Sequence, residues 1–161
     1  MLARLAHALA RLVAVAGLAA DSYVHFDLAG TYSETGGVIS EGVLFRAEAV
    51  VALLAAIAIV ATGRRASYIA ALIVTSTALA AMLVARYVDL GPIGPFPDVY
   101  DPVWFPEKVF AAVSEGLAGL AAAAGIAMHW QTSKKSRSGY GAGQKAVNAA
   151  RTQCVITSDS E

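Results

Sequence analysis

GVLFRAEAVVALLAAIAIVAT, residues 42–62, is apolar from end to end apart from Arg46 and Glu48 near its start. A bilayer core of about 30 Å is crossed by roughly 20 helical residues at about 1.5 Å rise each, and this stretch has that length. Alanine and leucine dominate it, both strong helix formers, and no strand-like alternation of polar and apolar residues is present. After the short link GRRAS at 63–67, a second block of the same kind runs from Tyr68 to Val88. A link that short makes the two helices antiparallel neighbours.

Two more blocks flank this pair. One runs from about Leu5 to Ala20, with an extension towards Leu28 left open, and the other spans Lys108–Trp130. Four such blocks predict an all-α, up-down bundle of four transmembrane helices over residues 1–130, followed by a tail over 131–161. The tail is polar and carries Gly139, Gly141 and Gly143, a composition that predicts disorder. Hydrophobic residues are 57% of the chain and charged ones 15%. Soluble domains average roughly 45–50% and about 25%, so a soluble core is excluded, and the missing alternation argues against a transmembrane barrel.

Charge sets the expected orientation. The net charge is zero, but nine of the twelve Lys and Arg residues sit at the N-terminus, in the 63–67 link or in the tail: Arg4, Arg11, Arg64, Arg65, Lys134, Lys135, Arg137, Lys145 and Arg151. The other two links hold Asp21, Asp27, Glu34, Glu41, Asp89, Asp98 and Asp101, with no Lys or Arg. The positive-inside rule then predicts both termini in the cytoplasm, in a multi-pass protein of the bacterial inner membrane. The basic cluster KKSR at 134–137 fits the membrane edge, so no nucleic-acid partner is expected. Cys154 is the single cysteine, which excludes an intrachain disulfide and the paired-thiol chemistry of small membrane thiol–quinone oxidoreductases. Arg4 and Arg11 followed by LVAVAGLAA also fit a secretory leader with a small-residue site near Ala19 or Ala20. Retention as a helix is the expectation, since it carries Asp21 and His25 to the outer surface.

All five prolines fall between Pro92 and Pro106, in LGPIGPFPDVYDPVWFP. Proline fixes φ and removes a donor, so this link is predicted extended and stiff, with Pro106 in the first turn of the last helix. Phe96, Tyr100, Trp104 and Phe105 interleave with the prolines. Such aromatics anchor at headgroup level, and a lid over an outward pocket is the sharper alternative.

Ionisable residues inside apolar helices are costly and usually pair or line a cavity. Arg46, Glu48, Arg86, Glu107 and Glu115 form such a set, Glu115 lying about 12 Å along its helix from Glu107. The simplest account is mutual neutralisation, Glu48 or Glu115 with Arg86 and Glu107 with Arg46. The alternative is a water-filled outward vestibule for a cation or small polar ligand. No nucleophile, metal motif or cofactor motif accompanies these residues, so no catalytic residue and no enzymatic activity are expected. Asp21, His25 and Asp27 make a second candidate, an outer polar site. One His and two carboxylates are common by chance, so no metal is expected there. His7 and His129 sit near the cytoplasmic edge, where paired imidazoles can ligate haem. Interfacial histidines are commoner than haem ligands, and no cofactor is expected.

Small residues line the last helix, with Gly116, Gly119 and Ala123 expected to pack helices closely or to receive a partner subunit or second copy. Thr75, Ser76 and Thr77 are expected to hydrogen-bond back to the preceding turn.

The fragments YVHFDLAGTY, GVLFRAEAVVALLAAIAIV and WFPEKVFAAVSEGLAGLAA resemble a group of uncharacterised small four-helix integral membrane proteins of high-GC, actinobacterial-type bacteria. The shared features are His25 after the first helix, Leu44 with Phe45 opening the second, and the spacing of Pro106 to Glu115 in the fourth. The resemblance spans most of the membrane part, implies the same fold, and implies no activity. The expectation from sequence is a non-enzymatic integral membrane protein, an accessory or scaffold subunit of a larger assembly in the lipid bilayer. The alternative is a small transport or sensing protein with an outward polar pocket.

Overall fold

The computed structural model describes residues 1–34 and 38–131, with the side chain of residue 3 excepted. The expected tail, including Cys154 and the 134–137 cluster, lies outside the described residues. Four helices form an all-α bundle: α1 Leu2–Thr31, α2 Glu41–Thr62, α3 Arg65–Tyr87 and α4 Pro106–Gln131. All four are long and apolar enough to cross a membrane. The compact unit that carries the site described below is Met1–Ile126.

Contacts along the helices show the up-down order. Arg11, early in α1, donates from its guanidinium to the Val60 carbonyl, late in α2. Farther along, Ser22 Oγ donates to the Ala49 carbonyl at 2.8 Å. The α2–α3 turn is as short as expected. Gly63 adopts φ 53°, a left-handed conformation that costs other residues Cβ strain, and its N–H donates to the Ile59 carbonyl at 2.9 Å. Arg11 thereby places a positive charge at the C-terminus of α2, where the helix dipole favours it.

The core is made of small residues. Ala14, Ala52, Ala71, Ala118 and Ala122 are buried with Leu18, Ile59 and Tyr68, while Leu53, Leu54, Ile73 and Leu120 point outwards. Bulk faces the surroundings and small side chains face the helix contacts, the arrangement expected where close van der Waals packing drives association. Glycines mark close approaches between α1 and α2 at Gly42, between α3 and α4 at Gly125, and between α1 and α4 at Gly17. A Cβ built on Gly17 would lie 2.8 Å from the Ser114 carbonyl oxygen and 2.9 Å from Ala118 Cβ.

One element is longer than sequence alone indicates. Helix α1 takes the extension towards Leu28 and continues to Thr31, so Asp21 and His25 are helical residues on one face of it. The polar run is held helical because one of its faces is buried: Asp21, Ser22, Val24, His25 and Ala29 all lie inside the bundle. The proline-rich link contains no helix, and α4 begins at Pro106. The link is tied down at several points. Asp101 N–H donates to the Ala85 carbonyl at 2.9 Å, and Ile39 N–H to the Pro95 carbonyl at 3.1 Å. Buried Lys108 donates to Asp101 Oδ2 at 2.9 Å and to the Asp101 carbonyl at 2.7 Å. Thr75 Oγ1 donates to the Ala71 carbonyl at 3.0 Å, as expected for a hydroxyl in mid-helix.

A buried carboxylate–imidazole cluster as the candidate functional site

Four residues before the Asp21 turn, Gly17 lets α1 and α4 touch, and that contact brings their charged residues together. Asp21 is completely buried, Glu115 is 1% exposed and His25 8% exposed. One ligand atom from each of Asp21, His25 and Glu115 lies within 4.8 Å of the others. Spacing of four residues puts Asp21 and His25 on one face of α1. Glu115 meets them because it sits about as far into α4 from that end of the bundle as Asp21 does along α1.

His25 Nδ1 is 3.0 Å from Asp21 Oδ1 and 3.0 Å from the Asp21 carbonyl oxygen, and the carbonyl is the oxygen in hydrogen-bond alignment. The His25 ring packs edge-on against Phe45 at 5.6 Å, and Tyr32 packs edge-on against Phe45 at 5.2 Å. The Leu44–Phe45 opening of α2 thus supplies the ring that steadies the imidazole. None of the carboxylate oxygens of Asp21 and Glu115 receives a hydrogen bond from the described residues, and neither does the buried Oε1 of Glu48. Glu48, half-buried, lies near enough for its charge to act on His25 and Glu115. Above the cluster, Tyr32 follows the end of α1. Burial, with the nearby Asp101 and Glu41 carboxylates, pushes its hydroxyl above the ordinary phenol range.

The pairings expected from sequence are replaced. Arg86 does not meet Glu48 or Glu115. Its guanidinium lies over the Tyr87 ring at 5.0 Å and the Trp104 ring at 6.0 Å, a cation–π arrangement at the link. Arg46 and Glu107 are both exposed. Lys108 pairs with Asp101, and the His25 ring stands beside the Asp21 carboxylate. Arginine is long and lays its guanidinium on aromatic faces at the end of α3 and in the link, while its Nε stays buried with no hydrogen bond among the described residues. The proposed outer site also changes membership. Asp27 is exposed, two residues from His25 on a different face of α1, and Glu115 takes its place.

The small-residue stripe of α4 divides in the same way. Gly119 faces α3, where an added Cβ would stand 3.1 Å from Thr75 Oγ1, so it is internal packing rather than an open groove. Gly116 has nothing within 4 Å of an added Cβ, and Ala123 is exposed. His7 packs edge-on against Tyr68 at 6.1 Å.

Sequence reasoning saw each member of the cluster but grouped them by sign, matching acids to bases. The signal it lacked was Gly17, whose missing side chain selects which face of α4 meets Asp21. Comparison with known proteins returns no matching family model, no matching curated protein and no matching solved structure. The fold and the geometry of the cluster therefore carry the functional reading.

Proposed function

We propose that this chain is a multi-pass protein of the bacterial inner membrane that takes a cation into its buried carboxylate–imidazole cluster, as a small transport or sensing protein. One observation carries this reading. Asp21 and Glu115, both buried, hold carboxylate oxygens within 4.8 Å of each other and of a His25 ring nitrogen, with Glu48 nearby. Adjacent buried carboxylates repel unless positive charge lies between them, and such residues at membrane depth mark ion or proton pathways. Reconstituted vesicles test the proposal. Cation-driven flux lost in Asp21→Asn and Glu115→Gln supports transport. Without flux, a cation-dependent rise in thermal stability lost in the same variants supports sensing. Neither response in the wild type removes the reading.

The orientation we propose has both termini in the cytoplasm and the cluster nearer the outer face. It rests on the Lys and Arg distribution. In a Cys154→Ser background, cysteines at the exposed positions Glu34 and Asp98 should react with an impermeant thiol reagent in intact cells. A cysteine at exposed Arg64 should not. The reverse pattern inverts the topology and turns the cluster towards the cytoplasm.

A second reading, an accessory subunit in a larger membrane assembly, is favoured by a separate observation. The Gly116 side of α4 is open, beside exposed Leu117 and Leu120.

A further inference from the structure

We infer that Asp21, His25 and Glu115 form a binding site for one divalent first-row transition-metal ion of the zinc type. This inference rests on the cation-site reading above and names the cation.

Three properties of the cluster point to the ion. The first is charge. When an ion displaces the acid protons, the two carboxylates carry two negative charges beside a neutral imidazole, and a dication brings the buried site to neutrality. A neutral site is what a low-dielectric interior tolerates. The second is donor chemistry. Imidazole with carboxylates suits zinc, manganese or iron. Calcium prefers six to eight oxygens, and magnesium keeps most of its waters and seldom takes imidazole. Three protein ligands leave a fourth position open, the pattern of zinc sites that exchange a ligand rather than closed structural ones. The third is position. His25 Nδ1 is the ring nitrogen that faces the carboxylate, 3.0 Å from Asp21 Oδ1, a separation close to that of two ligands sharing one ion. With the proton on Nε2, Nδ1 offers its lone pair to the cluster.

The fit is close. The donor atoms lie within 4.8 Å of one another. Ligands about 2.0–2.2 Å from a tetrahedral zinc stand about 3.3–3.6 Å apart, so modest side-chain rotation closes the set. The unpartnered oxygens are the independent sign. Asp21 is completely buried and Glu115 is 1% exposed, yet no described residue donates a hydrogen bond to either carboxylate. Buried carboxylates without donors are rare in satisfied cores, because each unmade bond costs desolvation free energy. An ion answers all of them at once. Glu48, with its own unpartnered buried oxygen nearby, adds negative potential that draws a cation in.

The test uses the full-length protein in detergent, stripped with a chelator, desalted and titrated calorimetrically with Zn²⁺ alone. The expected result is one saturable ion per chain. His25→Gln and Glu115→Gln should each weaken binding by about tenfold or more, given that even outer-shell partners cost about 10–100-fold. Asp27→Asn, on the exposed face, should leave affinity unchanged. Circular dichroism and gel filtration confirm that each variant folds. Absence of saturable zinc binding by the wild type overturns the inference, as does wild-type affinity in the His25 and Glu115 variants. Infrared spectra of the metal-free protein separate the two levels. A carboxylic-acid C=O band that disappears in Glu115→Gln, without zinc binding, means that the cluster holds a proton. The metal assignment then falls and the cation reading stands. With neither zinc binding nor that band, both fall.

Discussion

Gly17→Ala lowers thermal stability in detergent by about 1–3 kcal/mol, the usual cost of overpacking a close contact. The sign is informative, because alanine is about 1 kcal/mol better than glycine in a helix interior and the same substitution elsewhere would help. At Gly17 the new methyl would sit 2.8 Å from a backbone oxygen of α4 and 2.9 Å from Ala118 Cβ. Backbone cannot rotate aside, so α1 and α4 must separate. Gly116→Ala is the matched control on the same helix pair. Nothing lies within 4 Å of its added Cβ, so it should be neutral or stabilising by up to about 1 kcal/mol. Equal effects at the two positions would show that the crossing is not where the structure has it. Bulk at the open position serves a second purpose. If Gly116→Leu leaves the fold intact but removes a crosslinked partner in native membranes, the accessory-subunit reading gains over the cation-site reading.

Glu115→Gln and Asp21→Asn each stabilise the chelator-stripped protein by about 1.5–3 kcal/mol, the range for a hydrogen bond to a charged group, because either amide removes one acid and can donate to the carboxylate that remains. This reverses what an ion pair with Arg86 would give, since breaking a buried pair destabilises by about 3–5 kcal/mol. Here the carboxylates face each other, and Arg86 lies over Tyr87 and Trp104. Thermal unfolding of the double mutant measures the contact. Either substitution relieves the same repulsion, so the double mutant should fall short of the sum by about 0.5–3 kcal/mol. Glu115→Gln combined with Arg86→Gln should be additive. Coupling to Arg86 and none to Asp21 would restore the pairing that charge matching predicts and dissolve the cluster. With zinc present the sign inverts, since the variants then lose a ligand that stabilises the wild type.

Much of the fold was legible in the chain because lipid makes composition decisive. Backbone groups in a bilayer must bond within their own segment, so an apolar, alanine-rich run of membrane length has one regular solution. Residues 42–62 and 68–88, with the short turn at Gly63, show this directly, as does the start of α4 at Pro106. The extent of α1 was harder to read. Asp21, Ser22, His25 and Asp27 look like a link in a linear sequence, and only the burial of one face keeps them helical.

The site was legible as a set of residue types but not as a constellation. Arg46, Glu48, Arg86, Glu107, Glu115, Asp21 and His25 all stand out as charges near the ends of apolar helices. Which of them meet depends on the rotation of each helix about its axis, and periodicity in an alanine-rich helix leaves that rotation free. Tertiary packing removes the freedom. Gly17 against Ala118 and Gly119 against Thr75 orient α4, and that orientation turns Glu115 inwards to Asp21 and His25 while Glu107 stays outside. Sequence by itself determined the number of helices and the extents of α2 and α3, because hydrophobic transfer is a property of composition. The tertiary structure alone decided that acid meets acid beside one imidazole, because contact is a property of which small residues let two helices approach.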